Sequence, residues 1–438
     1  MSEPVEKPVE KSATGGRLMS LDALRGFDMF WIIGADSLVY ALERMNENPT
    51  TKFLGYQLRH AEWAGFRFYD LIFPLFIFMV GAAIVFSLTK IINESGRVGA
   101  IHRVLKRGIL LFLIGIIYSG GLTNPWPDIR LMGVLNRIAL AYTGAGLLFC
   151  LFKPRVLVGI CVGLLLSYWA LLSFVPIRDI ALEKNYLATL AEQNGEKKLA
   201  EQFLAAAPGS TTNPSAVKDS PVWIAAKDMY AATTNRVTGK FEPGYNLANH
   251  FDFEHLPGKK WDLFWDPEGI LSTIPAIATC LLGVFAGLIL RSTSFGNDRK
   301  LIYLIGGGAV AVAFGWLWGF QFPVIKKIWT SSYVLVAGGY SAILLGAFYL
   351  VVDVWKYQKW CQPFVWMGMN AITIYLVKNF LGGTFSRLSA RLVGGDVKNW
   401  FDQRVAAGFG ELMISVVGLL LAFWLVRFLY QRKIFLRV

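Results

Sequence analysis

The sequence predicts an all-α polytopic membrane protein: about ten transmembrane helices in one bundle, with one long extracytoplasmic loop. Three observations carry this. Of 438 residues, 55% are hydrophobic and only 17% are charged, against about a quarter charged in an ordinary soluble domain. The apolar residues come in long blocks, and about 20 of them suffice to cross about 30 Å of hydrocarbon. The basic residues collect in short loops between those blocks.

In chain order the blocks are 21–42, 70–88, 108–122, 131–152, 156–176, 269–290, 301–320, 333–354, 363–382 and 410–429. The third is short and could begin nearer residue 104. The chain then divides into a Glu/Lys/Pro-rich tail, 1–16, expected to be disordered and cytoplasmic. Helices one to five and the His60 loop occupy 17–176. An extracytoplasmic loop or lid occupies 177–265, and helices six to ten occupy 266–438. The loop 177–265 is too long for a bare connection and contains the helix-like piece "NYLATLAEQNGEKKLAEQFLAAA".

The net charge of +13 does not indicate nucleic acid as a partner. The bases lie in "RVGAIHRVLKR", "KPR", "RSTSFGNDRK", "WKYQK" and "QRKIFLRV", loops nearly free of acid on one side of the predicted bundle. Retention of Lys and Arg on the cytoplasmic side puts both termini there and His60 on the opposite face. In a bacterium this is the inner membrane, with the His60 loop periplasmic. Cys150, Cys161, Cys280 and Cys361 form no CxxC pair, so neither a disulfide framework nor a zinc site is expected.

Polar residues inside apolar blocks mark candidate function, because a charge at membrane depth costs about 2.5–3.5 kcal/mol on insertion scales. The first block, "SLDALRGFDMFWIIGADSLVYAL", carries Asp22, Arg25, Asp28 and Asp36. On a straight helix these share a sector roughly 120° wide. Asp36 then lies about 21 Å from Asp22 at 1.5 Å per residue. They read either as caps and a structural ion pair or as a polar stripe along a path. Arg137, Asn370 and Lys378 stand out by the same logic, with Arg137 and Lys378 also readable as snorkelling residues.

His60 precedes the second block in "LRHAEWAGFRFYD", with Glu62, Trp63 and Asp70 after it. An imidazole held by a carboxylate is a general base near neutral pH; the alternative is an interfacial His beside a Trp anchor. His102 reads as an interfacial polar residue. His250 and His255 offer only two imidazoles, and no metal site is expected. Asp266 and Glu268 in "WDPEGILSTIPAIATCLLG" fit ordinary helix-start chemistry, yet share the face of His60.

Six blocks occur in order: "SLDALRGFDMFWIIGAD", "LRHAEWAGFRFYDLIFPLFIFMVGAAI", "IRLMGVLNRIALAY", "WDPEGILSTIPAIATCLLGVFAG", "FPVIKKIWTSSYVLV" and "WMGMNAITIYL". Together they resemble the transmembrane acyltransferases related to lysosomal heparan-α-glucosaminide N-acetyltransferase and its bacterial relatives. The resemblance implies transfer of an acetyl group from cytoplasmic acetyl-CoA to an amino sugar or glycan on the far side. It implies His60 as the essential histidine, in the His-Ala-x-Trp block, and Asp70 as its matching acid. Asp22, Arg25, Arg137, Asp266, Glu268, Lys327, Trp329 and Asn370 fall in the other blocks as donor or acceptor pocket residues. Asp36 joins them with a departure, since its mammalian counterpart is Asn; that of Lys378 is His. The loop 177–265 is poorly matched, and acceptor choice could be made there.

On this reading Arg25, Arg103, Lys106 and Arg107 are candidates to hold the phosphates of acetyl-CoA. His60 removes the acceptor's proton, and Asp70 or Glu62 orients it. An acetyl-imidazole on His60 is the rival route. Membrane lipid and a second copy of the chain are further expected contacts, with no metal and no nucleic acid. The competing class is a secondary transporter of a sugar or anion, its intramembrane charges forming a relay. A lipid-linked or cell-wall glycan is a further acceptor class.

Overall fold

The computed structural model describes residues 18–46, 48–123, 125, 128–206, 220–380 and 384–436. The tail 1–16 expected to be disordered lies outside them. The protein is an all-α, multi-spanning membrane protein, with a single two-residue strand pair outside the bundle among the described residues. Seven described helices are long and apolar enough to cross a membrane. These are α4 (Phe68–Tyr118), α5 (Val134–Leu151), α6 (Pro154–Phe174), α11 (Thr273–Arg291), α12 (Asn297–Gly319), α13 (Ser331–Val354) and α18 (Phe409–Gln431).

The difference from ten has identifiable causes. The second and third expected spans both lie in α4, which runs through their expected connection and breaks at Gly96, where φ is +72°. The first expected span is not one helix. It divides into α1 (Met19–Phe30), a wide π turn and α2 (Asp36–Met45), because Gly34 takes φ +140°, a value L side chains rarely adopt. The ninth divides at Asn370 into α14 (Gln362–Met369) and α15 (Ala371–Phe380). Hydropathy continues through both breaks and does not register them. The short helices α16 (Thr384–Val393) and α17 (Asp396–Arg404) precede α18 and were not expected.

The main core joins Leu24, Leu75, Phe78, Tyr142, Val284 and Tyr333 from α1, α4, α5, α11 and α13. Small residues bring backbones together, as membrane helix packing favours. A Cβ on Gly81 would strike the Cys280 carbonyl, and one on Gly283 the Phe78 carbonyl, so α4 and α11 touch main chain to main chain. The broken helices make the same contact: Gly26 of α1 against Phe364, and Gly368 of α14 against Asp22.

The segment 177–265 carries its own apolar cluster, with Leu187, Phe203, Trp223, Phe253 and Phe264 buried together. Four helices build it: α7 (Lys184–Gln193), α8 (Lys197–Ala205), α9 (Pro221–Ala232) and α10 (Leu247–His255). The pair β1 (Ile177–Arg178) and β2 (Arg236–Val237) runs antiparallel within it. His250 is a structural member: it is buried, its Nε2 lies 3.0 Å from the Ile180 carbonyl, and burial pushes its imidazole down to about 4. His255 is exposed and stacks on Phe251.

The glycine contacts predict a position-dependent cost. Gly81→Val should lower the thermal midpoint in detergent, at about 1–3 kcal/mol or more for overpacking. Gly159→Ala in α6, with nothing within 4 Å of its added carbon, should leave the midpoint unchanged or slightly raised. Equal losses from both would contradict the close approach of α4 and α11.

Candidate active site

The His60 loop leaves α3 (Pro49–Gln57), whose start is capped by Asn48 through the Thr50 and Thr51 N–H groups at 2.9 and 3.0 Å. It is tied down at several points. The Gly65 N–H donates to the Val324 carbonyl at 2.8 Å, and Ala64 bridges to Ile325. Trp63 donates its indole N–H to the Phe241 carbonyl at 2.7 Å and meets Trp265 edge-on. Trp63 is thus a tie to the outer subdomain rather than a lipid anchor.

Asp70 sits in the first turn of α4, where the helix favours an acid. One oxygen accepts the N–H groups of Ala61 and Arg67, each at 3.1 Å. The other lies 2.8 Å from His60 Nδ1. The Asp70 carboxylate is buried, while the His60 side chain is 52% exposed, so the acid anchors and the imidazole is presented. With Asp70 ionised, Nδ1 carries the proton and Nε2 the lone pair. Glu62 is exposed, and Asp70 holds the ring. Tyr69 packs against the imidazole with ring centres 4.9 Å apart.

Lys326 completes the cluster. The loop pairing that seats Ala64 on Ile325 carries Lys326 Nζ to 2.9 Å from Nδ1, 3.3 Å from Nε2 and 3.5 Å from Asp70. The His60 pKa is lowered from its ordinary value, first by burial; Asp70 opposes the shift and Lys326 adds to it. Burial likewise lowers Lys326, against the pull of Asp70. His60 is therefore neutral near pH 7.

Two cavities are lined by His60 and Lys326, and a third shares lining residues with one of them. A wide one of about 880 Å³ is lined by His60, Arg130, Trp261, Glu268, Lys326 and Lys327, among others. A middle one of about 250 Å³ shares His60, Phe73, Glu268 and Lys326 with it, and is otherwise mostly apolar. A third of about 390 Å³ shares Phe76, Ile138 and Ile372 with the middle one and carries Arg25, Arg103 and Arg107. Lys106 does not line it.

The remaining sequence-selected residues fall into four groups. Arg137, Glu268, Lys327 and Trp329 line the wide cavity. Arg137 is fully buried; it donates to Ser272 and stands 4.9 Å over the Trp329 ring, so it does not snorkel. Lys327 reaches Asp262 at 3.4 Å. Asp266 is buried behind that wall, accepting both arms of Arg130 at 2.7 and 2.8 Å. Arg25 lines the third cavity, 3.5 Å from Asp22 and 3.4 Å from the Gly368 carbonyl.

Asp36, Asn370, Asp28 and Lys378 are not in the lining of these cavities. Asp36 lies past the Gly34 break and accepts from Tyr69 at 3.2 Å, so the four acids and bases of the first span do not form one straight stripe. Asn370 caps its own turn through the Trp366 carbonyl at 3.1 Å. Lys378 donates to the Ile32 carbonyl at the first-span break, an internal role rather than a snorkelling one. Asp28 is fully buried.

Two site residues escaped the sequence reading. Lys326 adjoins Lys327, and no periodicity in a loop tells which of two lysines faces in. Arg130 precedes a span in "DIRLMG" and reads there as a boundary base. Among the described residues, no group of three or more His, Cys, Asp or Glu is arranged to hold a metal.

A family profile described as a domain of unknown function, DUF5009, matches residues 17–122, which include His60 and Asp70. Human heparan-alpha-glucosaminide N-acetyltransferase is 28% identical over 337 residues, covering 73% of this chain and 48% of its own length. The mouse protein of that name is 28% identical over 356 residues, covering 75% and 50%. The chain is a distant homologue of these proteins. It spans about half the length of the curated relatives it matches.

The cluster predicts opposite shifts of one titration. Lys326→Met should raise the His60 pKa, by removing a cation that disfavours imidazolium. Asp70→Asn should lower it, by removing the carboxylate that favours it. Imidazole NMR of histidine-labelled protein reads both, with the other three histidines as references; no change in either variant would dissolve the cluster.

Proposed function

We propose that this chain is a transmembrane acyltransferase that moves an acetyl group from acetyl-CoA on the cytoplasmic side to an amino sugar or glycan on the other, with His60 as general base. One observation carries the reading: a cavity lined by three arginines shares lining residues with a second, and that second cavity is lined by the presented imidazole. Acetyl-CoA is too charged and bulky to cross a bilayer, but its pantetheine arm is slender and largely apolar. The arginine-lined cavity suits the phosphates, since guanidinium presents a fork of donors to them. The middle cavity suits the arm, and His60 is in its lining. The distant homologues support the same class of reaction.

A neutral amine acceptor in the wide cavity is the nucleophile and must shed one N–H proton to become an amide. His60 Nε2 takes it as nitrogen attacks the thioester carbonyl. The carbon–sulfur bond breaks, and the imidazolium returns the proton to the leaving thiolate, giving the amide and free CoA. Asp70 holds the ring and stabilises its charged form. Lys326 keeps the ring neutral beforehand and is placed to meet negative charge growing on the carbonyl oxygen. An acetyl group on His60 would give the two-step variant; labelled acetyl trapped on protein without acceptor would favour it. On this reading the cytoplasmic termini, the periplasmic His60 loop, a bacterial inner membrane and a homodimer are further proposals.

A transporter is the second reading, and one observation favours it. Two broken helices, α1–α2 and α14–α15, pack main chain against main chain, the arrangement from which transport sites are built. Thermal stabilisation by acetyl-CoA separates the two, since a sugar or anion transporter should show none.

With labelled acetyl-CoA and a panel of amino sugars, His60→Ala should reduce transfer about 10²–10⁴-fold, the range for general-base catalysis. Asp70→Asn should lower turnover strongly with the fold retained. The wild-type rate should fall on the acid side only below about pH 6.5, because a depressed imidazole stays neutral until then. Replacing Arg103 and Arg107 with Ala should raise KM for acetyl-CoA more than it lowers kcat. Full activity in His60→Ala would refute the assignment.

A further inference from the structure

We propose that Trp261 is the platform on which the ring of a pyranose acceptor stacks, making the wide cavity a carbohydrate subsite. The inference rests on reading that cavity as the acceptor chamber. Trp261 lines it and is 46% exposed, in a wall otherwise rich in charge. It belongs to the segment between α10 and α11, outside the spanning helices.

Its setting holds it as a platform. The Trp261 N–H donates to Asp266 Oδ2 at 3.1 Å. The Arg130 guanidinium lies 4.9 Å from its ring centre, fixed in turn by Asp266 and by Glu268 at 2.8 Å. A cation on one side and a backbone tie below leave the exposed part of the ring to the cavity. The same π-face that attracts a cation attracts the polarised C–H bonds on one face of a pyranose. Sugar hydroxyls radiate from the rim of that ring and need polar partners around the platform. Asp128 and Glu268 line the same cavity, and one Asp128 oxygen is buried without a hydrogen-bond partner.

Glu268 also lines the middle cavity with His60 and Lys326. The wall therefore runs from Trp261 through Arg130 and Glu268 to the imidazole. A ring seated on Trp261 would share one cavity with the imidazole. The adenine of CoA could stack on an indole too, but the phosphate-matching arginines lie at the other end of the cavities.

Calorimetric titration of the full chain in detergent with a β-1,4-linked glucosamine disaccharide tests this, alongside acetyl-CoA. Trp261→Ala should weaken disaccharide binding by at least about tenfold. Trp261→Phe should stay within about threefold of wild type, and acetyl-CoA affinity should be unchanged in both, which also reports an intact fold. Equal disaccharide affinity in Trp261→Ala, no disaccharide binding by the wild type, or a parallel loss of acetyl-CoA affinity would overturn the proposal. Absence of His60-dependent acetyl transfer would sink the acyltransferase reading alone, leaving Trp261-dependent sugar binding to stand on its own.

Discussion

The site depends on one buried carboxylate. Asp70 sits fully buried at the first turn of a membrane helix, where an unpaired charge would be costly. Its oxygens are satisfied by the Ala61 and Arg67 N–H groups and by the His60 ring, with the Lys326 ammonium close by. The same contacts do two things: they make the acid tolerable, and they fold the loop before α4 so that one imidazole is fixed in tautomer and direction. Tyr333 adds a clamp from α13 onto the Asp70 carbonyl at 2.8 Å. Asp70 is thus both helix-start residue and holder of the His60 ring, and helix stability and ring placement are not separable at this position.

A second constraint is the pairing of segments far apart in sequence. The His60 loop is held by Val324 and Ile325 on one side and Phe241 on the other. The outer subdomain and the loop before α13 therefore set the imidazole's surroundings as much as its own neighbours do. Arg130 works the same way: its two arms on Asp266 and its contact with Glu268 join the start of α5 to the approach to α11. Arg130, Lys326 and Lys327 of the wide cavity are each backed by an acid, Asp266, Asp70 and Asp262, so these three cations are oriented rather than loose.

Much of the site was legible residue by residue. His60 and Asp70 stand ten apart in a polar patch at the edge of an apolar block; the residues alone left an interfacial histidine as the alternative, and the resemblance singled out His60. Arg137 and Glu268 announce themselves as charges in or beside spans. What was not legible is equally particular. Lys326 and Lys327 are neighbours in a loop without period, and only the pairing with Ala64 selects the first. Gly34 sits in an unbroken apolar run, so the first span's four acids and bases looked like one stripe. The break turns Asp36 toward Tyr69 and away from the cavity walls.

Composition and block length by themselves determined that this chain is a multi-spanning helical membrane protein, because burial in hydrocarbon acts on each segment through its own residues. They also determined where titratable groups are too expensive to be incidental. The tertiary structure alone decided which of those groups meet, since contacts between a loop at 60 and a loop at 326 depend on how helices pack, not on local period. It decided too that one cavity lined by Arg25 and another lined by His60 have Phe76, Ile138 and Ile372 in common: a cavity is made by what neighbouring helices fail to fill, and no single stretch of sequence contains that information.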